Sequence, residues 1–152
     1  MGWNRWRRGL VDVRGVRLET ASCRERFGRS RVARLATTGR NGPGLVPIVF
    51  VLIGDRIVTA VDHKPKRTRR LARLDNITAN PEVTALVDHY TEDWSTLWWV
   101  RAEGTARVIE RGSVADEDSA ALIARYPQYR NDPPPGPFIE ITVARWIGWT
   151  AA

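Results

Sequence analysis

Six cations, Lys64, Lys66, Arg67, Arg69, Arg70 and Arg73, crowd the stretch that follows the apolar run Ile57–Val61 and opens a helical pattern. Helix starts favour Asp and Glu, because the dipole and the unpaired N–H groups leave that end electropositive. Cations placed there imply a negative group that compensates them, and a phosphate is the natural candidate. The plainer alternative is a solvated basic helix end. Other residues with chemical potential are scattered. His63 and His89 are candidates to move a proton, but neither sits in a carboxylate pattern, so a structural or solvent-facing role stands beside that reading. Trp94, Trp98 and Trp99 either line a pocket for a planar ring or pack at a subunit seam. Arg101 alternates onto the face of Trp99 and is a weaker ligand candidate. Cys23 has no His or Asp partner nearby and reads as an inert structural thiol.

The elements that would position these groups follow from periodicity. On a helical projection Leu71, Leu74 and Ile77 share a face bordered by Lys66, Arg70 and Arg73, so the helix can dock and still present charge. Pro65 fits a first helical turn. Leu18–Phe27 reads as a short amphipathic helix ending at Gly28. Val32–Thr37 is a strand, and the turn Thr38–Gly44 follows it. The turn's glycines match neither G-x-G-x-x-G nor G-x-x-x-x-G-K-[ST], and Pro43 lacks a donor, so a hairpin is preferred over a nucleotide loop. Leu45–Ile53 is a strand apolar on both faces, with Pro47 marking an edge, a bulge or exposed backbone. It joins Arg56–Val61 through Gly54-Asp55. Strand 83–88 and a long strand Leu97–Glu110, bent at Gly104, come next. A helix from Ser113 to about Tyr126, a stiff proline loop at 131–137 and a last strand Phe138–Trp149 complete the chain.

The 152 residues suit one domain. A single Cys excludes an internal disulfide, and no apolar run approaches a membrane span, so no membrane partner is expected. Residues 1–16 lack the apolar centre of a secretory signal, and the expected location is cytoplasmic. The net charge of +7 is uneven. Residues 1–34 hold ten Arg against three acids, and residues 62–73 hold six Lys/Arg against Asp62, which leaves the rest of the chain net acidic. Two basic zones on an acidic body fit an anion site plus a tail better than a general nucleic-acid binder. The tail, residues 1–16, reads as a flexible basic arm whose Trp3, Trp6 and Arg residues could also touch nucleic acid or a membrane surface. Residues 17–152 form the domain. No zinc spacing, Ser-His-Asp order or repeat is visible, and no metal is expected.

The wording of Asn76-Ile77-Thr78-Ala79-Asn80-Pro81 before Val83–Val87, behind an apolar strand and a basic helix, resembles the pyridoxamine 5'-phosphate oxidase-like split β-barrel family. The cationic HKPKRTRRLARLDNI and the later LWWVRAEGTARV look like its deazaflavin (coenzyme F420) branch. The resemblance covers about Arg31–Glu110. It implies a homodimer holding a flavin or deazaflavin at the subunit interface. It also implies that Lys66, Arg70 and Arg73, with Lys64 beside them, face the cofactor phosphate, and that the backbone of Pro47, Ile48 and Val49 runs along the ring; Trp99 and Arg101 join them as candidate cofactor contacts from the residue reading above. The strand at 45–53 lacks the basic ligands of pyridoxamine phosphate oxidases proper, which argues against vitamin oxidation.

The expected fold is a mainly β, six- or seven-stranded antiparallel split β-barrel, FMN-binding-protein-like, ordered helix, three strands, basic helix, two strands, helix, strand. The expected activity is hydride transfer between reduced F420 and an unsaturated small molecule, with the catalytic residues unassigned. An FMN-binding oxidoreductase of the same fold, a non-catalytic cofactor carrier and a basic nucleic-acid-binding module are the alternatives.

Overall fold

The computed structural model describes residues 15–61, 72–110, 112 and 116–152. Eight strands and four helices follow in order: β1 Gly15–Arg17, α1 Thr20–Arg29, β2 Ala33–Gly39, β3 Gly42–Ile48, β4 Val51–Ile53, β5 Arg56–Ala60, α2 Ala72–Ala79, β6 Glu82–His89, β7 Trp98–Ile109, α3 Asp116–Arg125, α4 Gln128–Asn131 and β8 Phe138–Ala151. A single 3-10 turn, Trp94–Thr96, links β6 to β7. Every pairing is antiparallel, in the order β3-β2-β6-β7-β8-β5-β4, with β1 added on β8. β8 is the seam. One edge runs along β7, while the other meets β5 through Phe138–Thr142 and β1 through Trp149–Ala151.

Period-2 burial divides the faces. Ala33, Leu35, Val83, Ala85, Val87, Val100 and Ala102 point into the barrel with Ile57, Ile139 and Ile141, where Phe27 of α1 and Ile77 of α2 close the core. A second cluster, Val51, Val58, Ala60 and Phe138 against Leu122, Tyr126 and Tyr129, sits under α3 and α4. The start of β8 is therefore buried on both faces, as its run Phe138-Ile139-Glu140-Ile141 requires. Its one acid, Glu140, is neutralised: Arg56 Nη1 donates to it at 2.7 Å and Arg107 Nε at 2.9 Å, while Arg56 also grips Asp118 of α3 at 2.8 and 3.1 Å.

The antiparallel split barrel matches expectation, and three details differ. Leu45–Ile53 is two strands. β3 pairs with β2 as one end of the sheet order, β4 pairs with β5 as the other, and Val49–Phe50 is the corner between them. The strand count rises to eight because β1 also forms, so Gly15 and Val16 belong to the sheet instead of an arm ending at residue 16; residues 1–14 lie outside the described residues. α4 fills the gap between the expected helix and the proline loop at 131–137, reaching the loop only at Asn131. The turn glycines do more than reverse the chain: a Cβ on Gly39 would run into Asn76, whose side-chain amide donates to Thr37 Oγ1 at 3.0 Å, so the bare backbone lets α2 approach the hairpin.

Gly104 lies at the irregularity expected of it. The β7–β8 register slips between Glu103 and Gly104, opposite Arg145 and Val143, leaving Ala144 as the extra residue. A Cβ on Gly104 would collide with the Thr142 carbonyl oxygen. Gly104→Ala should cost about 2–3 kcal/mol of unfolding free energy by urea titration, as backbone must shift to make room. A loss under about 0.5 kcal/mol would show that the bulge relaxes freely.

Candidate functional site

Side chains of the opposite parity cover the outer face of β3-β2-β6-β7-β8. Register aligns Pro47, Arg34, Leu86, Arg101 and Ile147 in one cross-strand row, and Leu45, Ala36, Thr84, Glu103 and Arg145 in the next. With strands about 4.8 Å apart, Pro47 and Arg101 stand roughly 14 Å from one another across the row. The surface is broad and mixed in character. Leu45 is 70% exposed, Pro47 is exposed, and Trp99 lies directly opposite Trp149.

Its charges are tied down in pairs. Arg34 Nη1 donates to Asp88 at 2.9 Å. Glu103 is shared: Arg101 Nε lies 2.8 Å from one carboxylate oxygen and Arg145 Nε donates to the other at 2.8 Å. The Arg145 hydrogen bond outweighs the opposing effect of burial and, with a lesser contribution from the charge of Arg101, holds the Glu103 carboxyl below its ordinary value of 4.5. The Arg101 guanidinium also lies over the Trp99 ring, 5.9 Å from its centroid. Beside this triad a groove of about 510 Å³, lined by Thr38, Pro43, Thr84, Thr105, Glu103 and Arg145 among others, follows the bulge.

The structure brings Pro47, Trp99 and Arg101 onto this one face. Ile48 points the other way, 6% exposed in the barrel core, so it offers a ligand only backbone, and that backbone pairs with Ala33. Val49 lies in the corner; its side chain packs on the second cluster and its carbonyl accepts from Thr59 Oγ1 at 2.7 Å. The three tryptophans separate: Trp98 packs against the core, stacked on His89 at 6.2 Å with Arg26 above it, and Trp94 sits in the 3-10 turn. Arg73 is half-buried on α2, whose Leu74 and Ile77 face the core as expected and whose Asn76 meets the barrel-interior side of β2. Lys64, Lys66 and Arg70, with His63, Arg67, Arg69 and Leu71, lie outside the described residues. Cys23 is fully buried, and burial pushes its thiol pKa up, consistent with an inert thiol.

Sequence reasoning missed Arg34, Leu86, Glu103 and Arg145. The parity of Arg34 within VARLAT was a usable signal, but its place beside Arg101 depends on pairings between strands far apart in the chain.

A family model described as pyridoxamine 5'-phosphate oxidase matches residues 20–150. The chain belongs to the pyridoxamine 5'-phosphate oxidase family. The same architecture recurs in solved structures of low identity. A FAD-binding protein from Mesorhizobium loti is 16% identical over 91% of this chain and 99% of that one, with a TM-score of 0.66. A FAD-binding protein from Mycobacterium smegmatis is 17% identical over 90% and 97%, with a TM-score of 0.58. The heme storage protein HutZ from Vibrio cholerae is 14% identical over 81% and 84%, with a TM-score of 0.59. No curated protein sequence matches this one. Such likeness establishes fold; the ligand must be argued from the site. Among the described residues no helix is long and apolar enough to cross a membrane, and no group of three His, Cys, Asp or Glu is placed to hold a metal.

Because its folded pKa is depressed, ionised Glu103 contributes stability at neutral pH that is lost as pH falls from about 4.5 through the lower folded value. Melting temperatures measured from about pH 6 to pH 3 should fall less steeply for Glu103→Gln than for the wild type. Parallel curves would show that the triad contributes nothing to acid stability.

Proposed function

We propose that this family member is an oxidoreductase dependent on the deazaflavin coenzyme F420, passing hydride between the reduced cofactor and an unsaturated small molecule. The observation that carries the reading is the outer sheet face, on which Pro47 at the sheet edge and the Trp99–Arg101 pair share one partly apolar surface. Apolar and aromatic surface bordered by guanidinium groups suits a planar, anionic heterocycle. The cationic segment Lys64–Arg73, whose wording resembles the F420 branch, supplies the complement for the phosphate. When bound, the cofactor supplies the hydride chemistry. The chain's own residues bind and orient it: Arg101 offers donors to a polar ring edge, and Lys64, Lys66, Arg70 and Arg73 offer charge to the phosphate.

The exposed Leu45 and Pro47, with half-buried Leu86, Ile147 and Trp149, favour a second copy of the chain covering this face and excluding water from the ring. The assembly we propose is a homodimer that shares the site. A lone, buried Cys23 without a disulfide suits a reducing compartment, and we place the protein in the cytoplasm. FMN is the second reading, favoured by the two FAD-binding neighbours.

Titration of the protein with F420, FMN and duplex DNA at two salt concentrations separates the readings. F420 should bind with a change in its fluorescence and little salt dependence, whereas a nucleic-acid module would lose DNA affinity steeply with salt. Tight FMN binding without F420 binding overturns the deazaflavin reading in favour of the flavin one. Arg101→Ala should weaken cofactor binding roughly tenfold, and Arg70→Ala with Arg73→Ala by about ten- to a hundredfold, as charge-assisted hydrogen bonds are lost. Unchanged affinity in both variants would return these cations to ordinary surface charge.

A further inference from the structure

The corner Val49–Phe50 belongs to neither β3 nor β4, so no neighbouring strand bonds it. Its backbone groups are instead taken by side chains. The Val49 carbonyl accepts from Thr59 Oγ1 at 2.7 Å, and Thr59 is 2% exposed. The Phe50 N–H donates to the Tyr126 hydroxyl at 3.0 Å, and the Phe50 carbonyl accepts from that hydroxyl at 2.7 Å, with the Arg31 carbonyl 2.9 Å away as a second acceptor. Tyr126 is 5% exposed, so losing its hydroxyl leaves these groups without solvent to replace it. The neighbouring Arg125 holds the same junction from outside: it donates to the Gly28 carbonyl at 2.7 Å and to the Ser30 carbonyl, and it lies 5.4 Å over the Phe50 ring. Phe50 is fully buried against Phe27, with centroids 5.0 Å apart.

We infer that Tyr126 is a positioning residue for the cofactor shelf: it locks the corner through Phe50 and thereby sets the course of Pro47–Val49. The inference rests on the proposed role of Pro47–Val49. Tyr126 is itself part of the second cluster, on the buried side of the strand. Its action is indirect. Pro47 and Ile48 of the shelf lie in an end strand of the sheet with a ladder on one side only, so the corner is their second point of attachment. A shelf fixed before binding spares the ordering cost that a loose one would meet.

The test compares Tyr126→Phe, which keeps the ring and removes one oxygen, with Thr59→Val, which removes the bond to Val49. Leu122→Val serves as a control that thins the packing under α3 by one methylene while leaving Tyr126, Thr59 and the Arg56–Asp118 tie of α3 in place. FMN and F420 affinities are read by fluorescence at a temperature where all variants are folded, and hydrogen exchange is read at the Phe50 amide. Tyr126→Phe should exchange faster at Phe50 and bind cofactor roughly tenfold more weakly. Thr59→Val should shift affinity in the same direction, and it reads the corner if Tyr126→Phe fails to fold. Leu122→Val should bind as the wild type does, even at a matched loss of melting temperature. Wild-type affinity in Tyr126→Phe, or in Thr59→Val when Tyr126→Phe does not fold, overturns the positioning role alone. So does equal weakening in Leu122→Val. A wild type that binds neither cofactor overturns the site reading beneath it.

Discussion

A backbone N–H or C=O that leaves a β-ladder inside a protein must find another partner, and the shape of this barrel follows from how two such departures are met. At Glu103–Gly104 the ladder slips by one residue, and the absence of a Cβ lets β7 lie close to Thr142. At Val49–Phe50 the chain moves between the two ends of the sheet order, and Thr59 and Tyr126 replace the missing strand. The second solution binds the helices to the barrel. Tyr126 can reach Phe50 only if α3 is docked, and α3 is docked by Leu122 in the second cluster and by Arg56 gripping Asp118. Arg125 then ties the end of α3 to the end of α1, where carbonyls without helical partners need donors.

With the interior filled by aliphatic and aromatic side chains, a ligand of any size must sit outside the barrel. The outer face is available because β2, β6 and β7 alternate strictly, leaving one parity for the core and one for solvent. Its arginines are already paired, Arg34 with Asp88 and both Arg101 and Arg145 with Glu103, so the face is pre-ordered instead of merely charged. Solved structures of similar architecture include two FAD-binding proteins and a heme storage protein. The scaffold thus sets where a ligand can rest, and a few side chains set which ligand it is.

Much of the fold was legible because its signals are local. Alternation marked β2, β6 and β7, the position of Gly104 marked the bulge, Gly54-Asp55 marked a hairpin, and Leu74 with Ile77 marked the buried stripe of α2. The division of Leu45–Ile53 was not legible, since both halves are apolar and the break is dictated by partners elsewhere, β2 for one half and β5 for the other. The same holds for β1, three residues whose pairing with β8 joins positions at opposite ends of the sequence. At the site, Trp99 and Arg101 were readable as one face from spacing two apart. Arg34, Glu103 and Arg145 join that face only through register. Tyr126 meets Phe50 across 76 residues, and no local pattern predicts such a contact.

The central claim is that a planar cofactor lies on the outer sheet face, shared between two copies of the chain. Sedimentation velocity followed at the cofactor's visible absorbance tests it most directly, because protein mass and bound cofactor are read in one boundary. The account predicts cofactor travelling with the dimer, at roughly one per protomer. Cofactor absorbance travelling with a monomer contradicts it.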